Sequence, residues 1–275
     1  MTATCNPVKR LQVVPSGGAL GAQIKGLDLS RPLSNDLIAA VRRTLLDHCL
    51  LVFRDQEIGE EDQVRFTNYF GRAVEHVREQ LDRPIKEIFI ISNLKENGQP
   101  IGALGNEEIS FHSDLSYMRQ PGTLSFLYAV ELPATGGDTH WCNCQAAYEA
   151  LDTDFKERLQ GLRAVHRHYV EAQNPPEIVD HPIVRTHAET GRQCLYVGPH
   201  LTRYIVGLGE AESRSLLEEL FEHMSQPRFI WTHHWQVGDL VVWDNRPTMH
   251  RRDPFPDDQR RLMKRTQIFN DEIPY

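Results

Sequence analysis

Long apolar runs and excess basic charge are both absent from this sequence. No hydrophobic stretch approaches the roughly 20 residues that a membrane-spanning helix needs, and the chain starts with MTATCNPVKRLQVV, which lacks the apolar core of a secretion signal. The 30 lysine and arginine residues are outnumbered by 38 aspartate and glutamate residues, which gives a net charge of −8. This balance disfavours nucleic acid or a membrane as a partner. We therefore expect a cytoplasmic protein that binds a small molecule.

Cysteine is scarce, odd in number and scattered, at positions Cys5, Cys49, Cys142, Cys144 and Cys194. Such a set fits reduced thiols better than a disulfide framework. Cys142 and Cys144 would share one face of a strand, but no second pair lies near them in the sequence, so a structural zinc site is disfavoured. A chain of 275 residues also buries enough surface to fold without a metal. Any bound metal is therefore expected to serve chemistry.

Repeats, low-complexity segments and long linkers are missing too, so residues 1–275 are predicted to form a single domain. Apolar residues at three- and four-residue steps predict helices at 36–47, 60–70, 145–162 and 210–224. Short apolar runs predict strands at 49–53, 87–91, 123–130, 193–197, 229–232, 240–243 and 266–269. Strands that do not alternate regularly with helices favour an antiparallel barrel or sandwich with helices packed outside it.

His112 and Asp114 lie two residues apart, so they share one face if their segment is a strand. Alone this pair is a weak signal, because such pairs are usually only hydrogen-bonded. His250 offers a third ligand from far along the chain. Two histidines and one carboxylate on one face of an octahedron leave three positions for substrate and dioxygen, as in ferrous oxygenases.

Further motifs accompany these residues: Gly136-Gly137-Asp138-Thr139, the run Trp243-Asp244-Asn245-Arg246 before His250, and Arg261 and Arg265 after it. In this order and spacing, the chain resembles the taurine dioxygenase family, which includes the 2,4-dichlorophenoxyacetate dioxygenases, from about Val13 to Phe269. The resemblance implies an α+β, mainly β fold: a double-stranded β-helix, or jelly roll, with flanking helices. It also implies Fe(II), 2-oxoglutarate and dioxygen as cofactor and cosubstrates, and a homo-oligomer, either a dimer or a tetramer.

The resemblance also assigns roles to residues. His112, Asp114 and His250 would be the iron ligands and the catalytic centre, while Thr139 and Arg261 would bind the far carboxylate of 2-oxoglutarate. A guanidinium suits that task because its planar fork binds a carboxylate through two hydrogen bonds. Arg265 lies four residues after Arg261, on the same face of a strand, so we expect it to reach the same cavity. The resemblance implies that it binds substrate there.

His76 matches a family histidine that contacts the anionic group of the substrate. The sequence departs from the taurine enzymes at Glu79 and Glu108, which we align with a tyrosine and an asparagine of the substrate site, so taurine itself is disfavoured. These carboxylates either accept a cationic group or face water, and we favour water. The glycine-rich segment 98–106 is either a lid or an ordinary surface loop.

The predicted function is hydroxylation of a small organic anion, such as a sulfonate or an aryloxyalkanoate, with release of succinate and carbon dioxide. A hydroxylase or desaturase of an amino-acid-derived natural-product intermediate, a non-catalytic binding jelly roll and a zinc hydrolase remain alternatives. Halogenation is disfavoured, because related halogenases lack the carboxylate that Asp114 supplies here. The other histidine pairs and the tryptophans are predicted to be structural: His166 with His168, His233 with His234, and Trp231, Trp235 and Trp243.

Overall fold

The computed structural model describes residues 11–78, 83–269 and 272–275. Their helices are α1 (Asn35–His48), α2 (Glu60–Asn68), α3 (Cys144–Glu149), α4 (Thr153–Leu159) and α5 (Glu210–Met224). Their strands are β1 (Gln12–Pro15), β2 (Ala22–Lys25), β3 (Leu50–Phe53), β4 (Phe89–Ser92), β5 (Lys95–Glu96), β6 (Gln99–Pro100), β7 (Ile109–His112), β8 (Leu124–Glu131), β9 (Thr139–Asn143), β10 (Arg163–His166), β11 (Val179–Pro182), β12 (Val184–Thr186), β13 (Gln193–Leu195), β14 (Thr202–Ile205), β15 (Ile230–His233), β16 (Leu240–Asp244), β17 (Thr248–Arg252) and β18 (Leu262–Ile268). None of the described helices is long and apolar enough to span a membrane.

The largest sheet has seven strands in the order β1-β2-β3-β16-β8-β18-β4. All its pairings are antiparallel except that of β2 with β3. Its central strands β3 and β16 are buried along their whole length, which explains their continuous apolar sequence. Strand order does not follow chain order, so residues from distant parts of the sequence become neighbours across this sheet.

A second sheet has four strands in the order β15-β9-β17-β7. It packs face to face against the larger sheet, because Trp141 of β9 belongs to the same buried cluster as Trp243 of β16 and Met263 of β18. The rings of Trp141 and Trp243 lie 5.5 Å apart, centroid to centroid, in an edge-to-face contact. His112 at the end of β7 pairs directly with His250 in the middle of β17.

The helices lie outside the two sheets and bury one face each. Val41 and Leu45 of α1 and Phe66 of α2 pack against Phe126 of the seven-stranded sheet. Helices α3 and α5 pack together in a separate buried cluster that includes Ala147 and Leu220. The prediction of a mainly β fold with outer helices is therefore confirmed.

Two predicted elements are wrong in detail. The predicted helix 145–162 is two helices, because the side chain of Asp152 accepts a hydrogen bond from the backbone N–H of Phe155 at 2.7 Å and starts a new helix. The predicted strand 266–269 is the end of a longer strand, β18, whose earlier residues include the charged Lys264, which is half-buried, and Arg265, which is buried. Cys144 is the first residue of α3, so Cys142 and Cys144 do not share a strand, and both thiols are free.

Candidate active site

His112, Asp114 and His250 come together where β7 meets β17. One ligand atom from each side chain lies within 4.8 Å of the others, and these three form the one such cluster of metal-binding side chains in the described part of the chain. Nε2 of His112 lies 3.7 Å from Oδ1 of Asp114, and Nε2 of His250 lies 3.9 Å from the same oxygen. The three residues predicted from the sequence to form a metal site are therefore adjacent in space.

The two imidazoles are neutral. Burial lowers the pKa of His112 to about 3 and that of His250 to about 4. Nδ1 of His112 lies 2.8 Å from the carbonyl oxygen of Ser110, which can only accept, so Nδ1 carries the proton and Nε2 keeps its lone pair. That lone pair faces the carboxylate of Asp114 with no proton between them. Such an arrangement is repulsive without a cation, so the donor set fits a bound metal ion.

Asp114 is held ionised and in one orientation. Burial alone would raise its pKa, but the guanidinium of Arg265 and the two neighbouring histidines hold that pKa below its usual range. Its Oδ2 accepts hydrogen bonds from the hydroxyl of Ser125 at 2.6 Å and the amide of Gln267 at 3.0 Å. Its Oδ1 is thereby left facing the two histidines.

Arg265 lies closer to the metal-binding residues than the sequence suggested. Nη1 of Arg265 is 3.4 Å from Oδ1 of Asp114, and its guanidinium lies 5.0 Å from the ring centroid of Phe89. It also lines the cavity beside the cluster, as predicted. Arg261 is not among the described residues that line that cavity, and its role stays a prediction. Its side chain is enclosed under Gly137 and Phe255.

Arg261 is a buried cation without a protein partner among the described residues. Its side chain is fully enclosed, its Nε makes no hydrogen bond, and burial together with the charge of Arg252 lowers its pKa to about 9. Gly137 packs beside this guanidinium, and its φ of +72° is a conformation that favours glycine. A buried, unpaired guanidinium suits a carboxylate such as that of 2-oxoglutarate. Thr139 is buried too, and its hydroxyl accepts a hydrogen bond from Nε1 of Trp235 at 2.9 Å.

A cavity of about 440 Å³ opens beside the cluster. It is lined by His76, Arg78, Leu104, Gly105, Asn106, Glu107, Glu108, Ile109, His112, Asp114, Leu115, Tyr117, His168, Tyr169, His200, Leu201, Arg252 and Arg265. His76 was predicted to lie here, and burial lowers its pKa to about 2. Glu108 belongs to the lining but is exposed to solvent, while Glu79 lies outside the described residues.

The glycine-rich segment 98–106 contributes to this cavity through its last residues, Leu104 to Asn106. Its first part forms the short hairpin of β5 and β6, and Ala103 forms a bridge with Ile91 of β4. The segment is therefore attached to the seven-stranded sheet, and only its end forms a wall of the cavity.

Sequence reasoning missed several cavity residues, among them these five: Arg78, Tyr117, His168, His200 and Arg252. Arg252 could have been found, because it lies two residues after His250 on the same face of β17. The other four lie in connecting segments, which carry no periodic signal. His168, predicted to be structural, lines the cavity and accepts a hydrogen bond at Nε2 from Nη2 of Arg78 at 2.9 Å.

The second histidine pair, His233 with His234, has carboxylate partners. Nε2 of His233 lies 2.9 Å from Oδ2 of Asp239, and Nδ1 of His234 lies 2.6 Å from Oδ2 of Asp138. Asp239 lies six residues after His233, but Asp138 lies 96 residues before His234, so the second partner is not evident from the sequence. These contacts are hydrogen bonds within the fold, consistent with the predicted structural role.

Two buried sheets that bring two neutral histidines and an ionised aspartate together define the class of non-haem iron oxygenases. A model of the family described as "Taurine catabolism dioxygenase TauD, TfdA family" matches residues 12–267. The chain belongs to this family, and the family predicted from the sequence is confirmed.

Individual relatives agree with this assignment. The alpha-ketoglutarate-dependent 2,4-dichlorophenoxyacetate dioxygenase of Cupriavidus pinatubonensis is 34% identical over 99% of this chain and 100% of its own length. The alkylsulfatase of Acinetobacter baylyi is 31% identical over 96% of this chain and 86% of its own. Among solved structures, a taurine dioxygenase from Burkholderia xenovorans superposes with a TM-score of 0.83 at 34% identity, covering 96% of this chain and 90% of its own. AAD-2 in complex with Mn(II) and N-oxalylglycine gives a TM-score of 0.84 at 30% identity, over 97% and 99%.

Proposed function

We propose that this protein is an Fe(II)- and 2-oxoglutarate-dependent dioxygenase that hydroxylates a small organic anion and releases succinate and carbon dioxide. The enzyme class predicted from the sequence, a 2-oxoglutarate-dependent dioxygenase, is confirmed by its family and relatives. The observation that carries the proposed metal site is the lone pair of His112 facing the carboxylate of Asp114 at 3.7 Å, an arrangement that calls for a cation.

We further propose that residues 1–275 are one domain and that its two packed sheets form a double-stranded β-helix.

The proposal gives each residue a task. His112, Asp114 and His250 hold Fe(II), and Arg261 with the hydroxyl of Thr139 binds the far carboxylate of 2-oxoglutarate. When bound, the metal and 2-oxoglutarate supply the oxidation of substrate by dioxygen. Ser125 and Gln267 keep Oδ1 of Asp114 directed at the metal position through their hydrogen bonds to Oδ2.

An anionic substrate is supported by the charges around the cavity. Arg78, Arg252 and Arg265 line it, while the acidic side chains Glu107 and Glu108 are solvent-exposed. Relatives named for 2,4-dichlorophenoxyacetate and alkyl sulfates indicate that an aryloxyalkanoate, a sulfate ester or a sulfonate is a suitable class of substrate. An amino-acid-derived intermediate as substrate stays an alternative prediction.

Anaerobic titration of the Fe(II) protein with 2-oxoglutarate tests the proposal. A weak visible charge-transfer band should appear as the cosubstrate chelates the metal. When oxygen is then admitted, it should be consumed together with 2-oxoglutarate. Protein that demonstrably holds iron but gives no band at any 2-oxoglutarate concentration would contradict the proposed cofactors and favour a binding protein or a hydrolase.

The predicted cytoplasmic location and homo-oligomeric state stay predictions. Light scattering coupled to size-exclusion chromatography should give the mass of a dimer or tetramer of the 31.6 kDa chain. A mass of one chain across the concentrations tested would contradict the oligomer.

A further inference from the structure

The two residues first assigned to the substrate anion are already engaged within the protein. Arg265 lies 3.4 Å from Asp114 and against the ring of Phe89. His76 stacks on the same ring at 4.0 Å between centroids, and its Nδ1 accepts a hydrogen bond from the backbone N–H of Arg78 at 3.0 Å. Nε of Arg265 still has no hydrogen-bond partner among the described residues, and further donors line the same cavity.

Tyr117 offers one such donor. Its side chain is 2% exposed and lines the cavity, and its hydroxyl, which lies beside the guanidinium of Arg78, donates no hydrogen bond among the described residues. A buried O–H group that donates to nothing is unfavourable, and a ligand oxygen can accept its hydrogen bond. The ring is held in place by His168, whose centroid lies 5.2 Å away.

Arg78 supplies a cation next to this hydroxyl. Its guanidinium lines the cavity and donates to Nε2 of His168 at 2.9 Å, and no carboxylate of the described residues lies within ion-pair distance of it. Burial raises the pKa of Tyr117 while the charge of Arg78 opposes that rise, which places the guanidinium beside the phenol. The two groups converge on the same part of the cavity wall.

His76 completes the set. Burial lowers its pKa to about 2, so the ring is neutral, and Nδ1 is an acceptor. The ring proton therefore sits on Nε2, which makes His76 a donor as well. One cation and two neutral donors match the several acceptor oxygens of a carboxylate, a sulfonate or a sulfate ester.

We propose that Arg78 and Tyr117 form, with His76, the subsite that binds the anionic group of the primary substrate, and that Arg265, which lines the same cavity, also orients Asp114. This inference rests on the proposed function and adds the residues that select an anionic substrate over a neutral one. Arg78 supplies the charge, and the hydroxyl of Tyr117 supplies a directional hydrogen bond.

Matched ligands test the subsite in the Fe(II) protein loaded with 2-oxoglutarate under anaerobic conditions. The probes are phenoxyacetate against phenoxyacetamide and hexanesulfonate against hexanesulfonamide, and the readout is the concentration at which each probe shifts the charge-transfer band. Wild-type protein should bind at least one acid more tightly than its neutral amide. Arg78→Met should reduce that preference by about 10- to 100-fold, the factor for a hydrogen bond to a charged group, and Tyr117→Phe by about 3- to 10-fold.

Two further variants control the experiment. Arg78→Lys keeps the charge and should keep most of the preference. Arg203→Met removes an exposed arginine whose charge acts on His168 and His200 but which is not among the lining residues, and it should leave the preference unchanged.

The outcomes separate the two proposals. A charge-transfer band that forms normally but that no acid shifts, or an acid preference that survives both Arg78→Met and Tyr117→Phe, would overturn the subsite and leave the dioxygenase intact. Absence of the band in wild-type protein would instead overturn the proposed function on which the subsite rests.

Discussion

Each of the three side chains proposed as metal ligands has its surroundings fixed by a different part of the chain. The carbonyl of Ser110 orients His112, and Trp141 and Trp243 enclose His250 at centroid distances of 6.2 and 4.9 Å. Ser125 and Gln267 orient Asp114. The geometry of the cluster is therefore set before a metal binds, which reduces the ordering cost of binding.

Removing one proposed ligand should abolish metal binding. In His112→Ala, Asp114 and His250 alone offer two donors, so Fe(II) at micromolar concentration should no longer bind, as measured anaerobically by equilibrium dialysis and metal analysis. His234→Ala removes an exposed histidine hydrogen-bonded to Asp138 and should bind metal like wild type. Near-normal metal content in His112→Ala would contradict the assignment.

Arg261 should affect the binding of 2-oxoglutarate but not the binding of the metal. Replacing it with alanine removes a charged pair worth about 3 kcal/mol, so the dissociation constant for 2-oxoglutarate should rise by about two orders of magnitude. Metal content should stay unchanged, because Arg261 does not contact the histidines or Asp114. An anaerobic titration of the charge-transfer band measures the dissociation constant, and metal analysis measures the metal content. An unaltered dissociation constant for 2-oxoglutarate would exclude this role.

Individual residues differ in how far the sequence reveals them. His112, Asp114 and His250 were predictable because strand alternation and family motifs both point to them. Arg78 and Tyr117 were not, because their position depends on how connecting segments cross the sheets. The hydrogen bonds from Ser125 and Gln267 to Asp114 were also hidden, since they join β8 and β18 to the segment after β7.

At the scale of elements, β17 connects the metal-binding cluster to the cavity wall. His250 and Arg252 lie two residues apart on it and share one face. The buried guanidinium of Arg252 donates to the carbonyl of Leu104 at 2.7 Å and to that of Glu107. Leu104 has a φ of 62°, a left-handed conformation that is unfavourable for leucine. Arg252 thus helps to hold the segment 104–107 in a strained shape.

Loss of this guanidinium should loosen the segment. In Arg252→Ala, hydrogen exchange should rise about tenfold at the N–H groups of Ala103 and Phe255, which donate to Ile90 and Asn106 respectively. Hydrogen-exchange mass spectrometry of peptides containing these residues measures the effect.

The neighbouring arginine provides the control. Arg251 points to the opposite face of β17 and pairs with Asp253 at 2.5 Å, so Arg251→Ala should not change this exchange. Equal exchange in Arg252→Ala and wild type would show that the segment is held by other contacts.

Element boundaries were predictable where apolar period and caps agree. The side chain of Ser34 caps α1, and α1 lies within one residue of its predicted bounds at each end. The break between α3 and α4 was missed, because the apolar spacing continues across it. The break is set by Asp152, whose side chain caps the start of α4. The start of β18 was missed because buried charged residues do not resemble a strand in a hydrophobicity pattern.

At the scale of the whole molecule, many histidines are buried in their neutral form. Burial lowers the pKa of His166 from 6.5 to about 3 and that of His181 to about 4. In the unfolded chain these histidines take up protons near the ordinary value. Below pH 6.5 the unfolded chain therefore binds more protons than the folded protein, so the free energy of unfolding falls as the pH is lowered.

The metal-free protein should consequently be less stable at pH 5.0 than at pH 7.5. Each buried histidine that stays neutral contributes about 2 kcal/mol to this loss, from about 1.4 kcal/mol per pH unit below 6.5. Urea unfolding at the two pH values measures the difference, and His166→Gln should reduce it by about 2 kcal/mol. Equal unfolding free energies at both pH values would contradict the buried neutral state of these histidines.

The residues proposed to hold metal and cosubstrate lie on or beside the paired strands β7, β9, β17 and β18, whereas much of the remaining cavity wall comes from connecting segments around residues 76–78, 104–108, 168–169 and 200–201. Insertions and substitutions in such segments leave strand register unchanged. Substrate selectivity can therefore change through these segments while the residues proposed to hold the metal and the cosubstrate stay in place. For laboratory evolution towards a new substrate, mutagenesis of these four segments and of Tyr117 leaves the strands that carry the proposed metal ligands constant.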